Sequence, residues 1–196
     1  EISECLVGSE MCIRDRTNSE SRVLDMCTGS GCIIISLAAS GHTSENGAVA
    51  IDISDDALKV ADYNKKYNNA DYIKLIKSDM FSSSECEQYK NEDNRFDVIV
   101  SNPPYIPTKD IDELSEEVRL HDPMLALDGD TDGLKFYKAI TKQSVNYLKE
   151  NGYLCYEIGY NQAEDVRNIM EQCGYSGIKV IKDLAGLDRV VIGRLN

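Results

Sequence analysis

Short apolar runs alternate along this chain with longer segments whose apolar positions recur at helical spacing, the pattern of strands and helices built around a parallel sheet. The periodicity predicts strands near 22–26, 48–52, 72–77, 96–101, 152–158, 175–182 and 188–194, with helices near 31–40, 54–68, 134–150 and 160–173. Two stretches break the rhythm. Residues 82–95 are polar and charged and read as an excursion or a degraded helix without chemistry. Residues 106–133 form a longer interruption, and loops beyond about 15 residues in a compact domain tend to be functional. The last two strands, joined through Ala185-Gly186, are expected to add an antiparallel edge. The expectation is an α/β fold with a mostly parallel seven-stranded sheet.

Open α/β sheets bind ligands at the carboxyl ends of their strands, so the residues that end each predicted strand carry the functional question. The first strand breaks into Asp25-Met26-Cys27-Thr28-Gly29-Ser30-Gly31 and then a helix. Glycines there allow a tight turn and close approach of a ligand to backbone. A dinucleotide fingerprint would place a third glycine where Ile34 stands, and the Lys of a phosphate loop is missing. Roughly twenty residues on, Asp52 closes the second strand at the spacing for gripping a ribose diol, although it could instead cap the next helix. The third strand ends in Ser78-Asp79-Met80-Phe81, where Asp79 could accept from an adenine amine and Phe81 could pack on the ring. Ribose, adenine and no phosphate chain describe S-adenosyl-L-methionine.

The fourth strand runs out into Asn102-Pro103-Pro104-Tyr105. An Asn side-chain oxygen and the next carbonyl can both accept from one planar NH2 group, two prolines stiffen the backbone that aims them, and Tyr105 can cover the flat face. The target is a carboxamide or an exocyclic base amine.

These residues resemble the HemK/PrmC methyltransferases, which methylate the glutamine of the Gly-Gly-Gln motif in peptide chain release factors. The resemblance runs from about Arg22 to the C-terminus and includes Asp25-x-x-Thr28-Gly29-x-Gly31, Asp52, Ser78 to Phe81 and Val100 to Ile106. It continues through Glu117-Val118-Arg119, Asp122-Pro123, Ala126-Leu127, Gly129 and Asp132-Gly133-Leu134, then Glu157-x-Gly159, Asp183-Leu184 and Arg189 to Arg194. It implies a class I S-adenosylmethionine-dependent methyltransferase (Rossmann-like) fold. Asn102, Pro103, Pro104 and Tyr105 would be catalytic, and Asp25, Thr28, Gly29, Gly31, Asp52, Ile53, Asp79, Met80, Phe81 and Asn102 would bind cofactor. Arg119 and the Asp128-Gly129-Asp130 turn are candidates to shape the substrate mouth.

Charge narrows the choice between the two planar amines. With 21 Lys and Arg against 34 Asp and Glu, the net charge of -13 repels phosphate backbones. A protein substrate, the release factor, is expected rather than RNA or DNA; an N6-adenine methyltransferase and a non-catalytic cofactor-binding fragment are the alternatives. The seven cysteines form no Cys-x-x-Cys pair and His42 and His121 are the two histidines, so no metal site is argued and reduced thiols in a cytoplasmic protein are expected. Cys27 and Cys32, flanking the turn, read as small packing residues. The apolar run Cys32 to Ala39 is far short of the ~20 residues that cross a bilayer, and a monomer is expected. Residues 1–16 resemble translated sequencing-adapter sequence and are set apart as a non-native leader, with no role for Cys5 and Cys12. That leaves 17–196 as the catalytic domain, without the helical substrate-recognition domain that precedes it in the family.

Overall fold

The structure is a computed structural model that describes residues 13–116 and 123–196. Glu117-Val118-Arg119, His121, Asp122, Cys5 and Cys12 lie outside the described residues. Seven strands, β1 (Val23–Met26), β2 (Ala48–Asp52), β3 (Lys74–Lys77), β4 (Phe96–Ser101), β5 (Leu148–Glu157), β6 (Tyr175–Lys182) and β7 (Asp188–Leu195), form one sheet in the order β3-β2-β1-β4-β5-β7-β6. The first five pair in parallel, whereas β7 runs antiparallel between β5 and β6. Strand order reverses direction between β1 and β4, the switch point at whose carboxyl ends open α/β sheets bind ligands.

Among the described residues the α-helices are α1 (Cys32–Ala39), α2 (Asp55–Tyr67), α3 (Met124–Leu127), α4 (Lys135–Ser144) and α5 (Ala163–Gln172). Successive strand residues face opposite sides, and the core divides accordingly. Leu24, Met26, Ile99, Leu154 and Tyr156 pack on one face with Tyr137 and Ile140 of α4 and Val166 of α5. Val23, Val98, Val100 and Cys155 pack on the other with Ile33, Ile34 and Leu37 of α1. Ile34 and Leu37 are fully buried, and each such side chain contributes about 2 kcal/mol. In α2, Ser54 Oγ accepts from Ala57 N at 3.2 Å, with Asp55 and Asp56 in the first turn and Lys65 and Lys66 in the last. Both ends therefore complement the helix dipole.

Two local readings are corrected. The helix expected over 134–150 stops at Ser144, because Tyr147 O accepts from Phe96 N at 2.8 Å and Leu148 pairs with Phe96. The strand expected from 152 therefore starts at Leu148 and shifts register before Tyr153, with Asn151 at φ 65. Residues 82–95 follow the degraded-helix reading: they wind into 3-10 turns that bury Cys86 and Tyr89. Ile13, within the leader excluded above, is fully buried against the α1 face, and the Arg16 guanidinium lies 5.3 Å from the Tyr153 ring centre.

Candidate active site

The first-strand turn is built around a buried acid. Asp25 is 1 % exposed; its Oδ2 accepts from Thr28 Oγ1 at 2.7 Å and Ile34 N at 3.4 Å, while Oδ1 is buried without a partner. Burial pushes its carboxyl up to about 7 from 3.8, the hydrogen bonds from Thr28 and Ile34 oppose this, and nearby Asp52 adds to it. Gly29 and Gly31 have φ of 56° and 82°, and a Cβ on Gly29 would meet nothing within 4 Å, so the turn presents open backbone.

Asp52 is not the cap of α2, a role taken by Ser54. Its Oδ2 accepts from Gly29 N at 2.8 Å and its Oδ1 from Ser54 N at 2.9 Å, so the end of β2 is tied to the turn after β1. Ile53 beside it is 44 % exposed. Asp79 is exposed at the end of β3, followed by Met80 at φ 49. Phe81 does not offer its ring to a ligand as expected: it is 4 % exposed and stacked on Tyr147 at 4.1 Å between centroids. Its aromatic surface is spent in the core.

The fourth-strand turn lies alongside. Ser101 is paired with Met26, and its Oγ donates to Met26 O at 2.7 Å. Asn102 is exposed, Pro103 and Pro104 are buried, and Tyr105 is half-buried against the core. Cys27, at φ 60, stands where these pieces meet. Burial first, then the charges of Asp52, Asp25 and Asp79, push its thiol up to about 12 against a hydrogen bond with Ser101. Three acids from three strand ends thus converge on Cys27, which contacts Ser101, the residue before Asn102.

The long segment after Tyr105 folds back on it. Ile106 N donates to Leu127 O at 3.0 Å, Gly129 N to Ile106 O at 2.8 Å, and Thr108 Oγ1 to Asp128 Oδ1 at 2.7 Å. The Asp128-Gly129-Asp130 turn therefore borders the tetrapeptide; a Cβ on Gly129 would lie 2.8 Å from Tyr105 Cα. Glu157, at the end of β5, is 7 % exposed, and burial raises its carboxyl to about 6 against the charge of Arg189. Among the described residues no group of three or more His, Cys, Asp or Glu could hold a metal, and no helix is long and apolar enough to cross a membrane.

A family model described as a methyltransferase domain matches residues 17–187. The chain belongs to the methyltransferase domain family. It is 39 % identical over 186 residues to the release factor glutamine methyltransferase of Fusobacterium nucleatum, covering 94 % of this chain and 50 % of that protein. It is also 39 % identical over 176 residues to the release factor glutamine methyltransferase of Thermodesulfovibrio yellowstonii, covering 90 % of this chain and 60 % of that one. The chain spans about half to three-fifths of the length of these relatives. Among solved structures, a ribosomal protein L11 methylase from Lactobacillus delbrueckii superposes with a TM-score of 0.63 at 20 % identity, over 95 % of this chain and 77 % of that one. That likeness shows the fold.

One residue of this methyltransferase domain's site escaped the sequence reading. Gln162, 6 % exposed, donates through Nε2 to Tyr105 O at 2.9 Å. Its signal in the sequence was weak: a polar residue just before a helix, five positions beyond the end of β5.

The raised carboxyl of Asp25 makes stability depend on pH. The folded state holds this proton more tightly than the unfolded chain, whose value is near 3.8. The contribution is complete below that value and is lost as pH rises through about 7. Asp25→Asn keeps an acceptor for Thr28 and removes the buried charge. Thermal unfolding at pH 8 is expected to show the variant melting about 10 °C above the wild type, with the gap closing toward pH 4. A constant gap across that range would contradict the assignment of the proton to Asp25.

Proposed function

We propose that this chain is the catalytic domain of a release factor glutamine methyltransferase, transferring a methyl group from S-adenosyl-L-methionine to the side-chain amide N5 of the glutamine in Gly-Gly-Gln. The observation that carries the reading is the place of Asn102-Pro103-Pro104-Tyr105: it leaves β4 beside the glycine turn of β1, at the point where strand order reverses.

The residues fit the cofactor. Open space over Gly29, the unpartnered buried Oδ1 of Asp25, and acids rather than bases at three strand ends suit a nucleoside carrying a cationic sulfonium and not a phosphate chain. Asp52 would hold the ribose hydroxyls, Asp79 and Met80 the adenine, with Ile53 beside them and Thr28 to Gly31 closing the turn beneath. When bound, the cofactor supplies an electrophilic methyl group for in-line displacement. Asn102 Oδ1 and the Pro103 carbonyl would accept the two hydrogens of the substrate amide, drawing density onto nitrogen and holding it in line. Tyr105 would cover the amide, and the proton can leave to water after transfer, so no strong base is required. The acidic surface suits a basic protein partner, approached by the chain as a cytoplasmic monomer.

Incubation with labelled S-adenosylmethionine and, in parallel, a release factor, its Gly-Gly-Gln glutamine-to-alanine variant, and bulk RNA and DNA tests the reading. Label is expected on the intact release factor alone. Label on nucleic acid would replace glutamine with adenine as the substrate, and label on neither would leave a cofactor-binding fragment.

A further inference from the structure

We propose that Gln162 is a positioning residue for methyl transfer: its buried amide sets the carbonyl of Tyr105 and so aims the acceptors of the preceding turn, an inference that rests on reading that turn as catalytic. Gln162 occupies the N-cap of α5 yet makes no side-chain cap bond to that helix. Its amide is directed instead at Tyr105, at Gly133 and Tyr137, all distant in sequence, and at the nearby Gly159. Nε2 donates to Tyr105 O at 2.9 Å and to Gly133 O at 3.3 Å, and Oε1 accepts from Gly159 N at 3.0 Å and from Tyr137 Oη at 3.5 Å. The same Tyr137 hydroxyl donates to Glu157 O at 2.9 Å.

The orientation of the amide is forced. Turning it over would set Oε1 against two carbonyl oxygens and the NH2 against an N–H donor. Its neighbours leave room for nothing else: a Cβ at Gly133 would fall 2.8 Å from Nε2, and one at Gly159 would fall 2.9 Å from Oε1 and 3.4 Å from Tyr105 Cδ2. The end of β5, the end of the long loop and the tetrapeptide are thereby held in one register, and the Tyr105 ring is seated over Gly159. Pro103 and Pro104 stiffen the turn, but neither carries an N–H that could anchor it, so the grip on the Tyr105 carbonyl acts with the bonds of Ile106 to Leu127 and Gly129 to set its far end.

The test compares Gln162→Leu and Gln162→Glu with the wild-type chain in release factor methylation, cofactor binding and amide hydrogen exchange. Gln162→Leu is expected to lower kcat on the order of a hundredfold, since misplacement of about 1 Å costs that much, with cofactor affinity unchanged. Gln162→Glu sets a carboxylate against two carbonyls at neutral pH and donates once protonated, so its kcat should climb as pH falls where the wild type does not. In Gln162→Leu, the amides of Ile106 and Gly159 should exchange faster while those of β1 and α1 keep their protection. An unchanged kcat, or faster exchange across the whole sheet, would overturn the proposal and make Gln162 a core residue only. Should the wild type fail to label a release factor, the functional reading falls, and the exchange arm still decides whether Gln162 clamps the turn.

Discussion

Asn102→Ala is expected to reduce methyl transfer to a release factor on the order of a thousandfold, the scale seen when one preorganised polar group at a reacting centre is removed. Cofactor affinity should change by less than about threefold, under 1 kcal/mol. Asn102 is exposed at the mouth and no hydrogen bond from its side chain braces the glycine turn, whose closing bonds run through Asp25, Thr28, Asp52 and Ser101. Its loss therefore removes an acceptor for the substrate amide without loosening the pocket. Asp52→Ala is the complementary change: it deletes the acceptor of Gly29 N, so cofactor binding should weaken by more than tenfold, or about 1.4 kcal/mol. Calorimetric titration of both variants, alongside turnover, separates the roles. Equal loss of cofactor affinity in the two would show that Asn102 belongs to the cofactor pocket and not to the substrate.

The second large effect is expected at Gly133→Ala. Gly133 has φ 71, and a Cβ there would stand 2.4 Å from Tyr105 O, 2.8 Å from Gln162 Nε2 and 3.3 Å from Pro107 Cδ. The backbone oxygen cannot step aside without moving the tetrapeptide, and the left-handed conformation itself costs about 1–2 kcal/mol for a residue bearing a Cβ. With overpacking added, the loss is about 2–4 kcal/mol, or roughly 5–10 °C in Tm for a domain of this size. Turnover below the new melting temperature should fall in parallel, because the displaced atom belongs to Tyr105. Melting measured against Gly29→Ala provides the contrast: that position has a similar φ of 56° but nothing within 4 Å of its Cβ, so it should lose only the conformational part. Equal losses at the two glycines would refute the close approach at Tyr105.

Much of this was legible in the chain because strands end where apolar alternation stops, and the residues at those stops were read correctly as facing one edge. Asp25, Asp52, Asp79 and Asn102 lie at the ends of four strands that pair in parallel, so local pattern found the ends and the parallel pairing set them side by side. The glycine turn is likewise a short-range feature with a short-range signal. Phe81 misled because an aromatic residue near a site looks the same whether its ring meets a ligand or, as here, Tyr147. The helix before β5 was drawn too long because Val145 to Leu148 are as apolar as a helix face, and only pairing with Phe96 draws them into the sheet. Gln162, Gly133 and Gly159 acquire their meaning from Tyr105, far away along the sequence, and no periodicity records a contact between segments that distant. By itself, then, the sequence determined which residues stand at strand ends and which functional groups they bring there, since both follow from local alternation and side-chain type. Tertiary structure decided which backbone atom each buried polar group serves, because that depends on strand order and on close packing between segments the chain brings together only once it has folded.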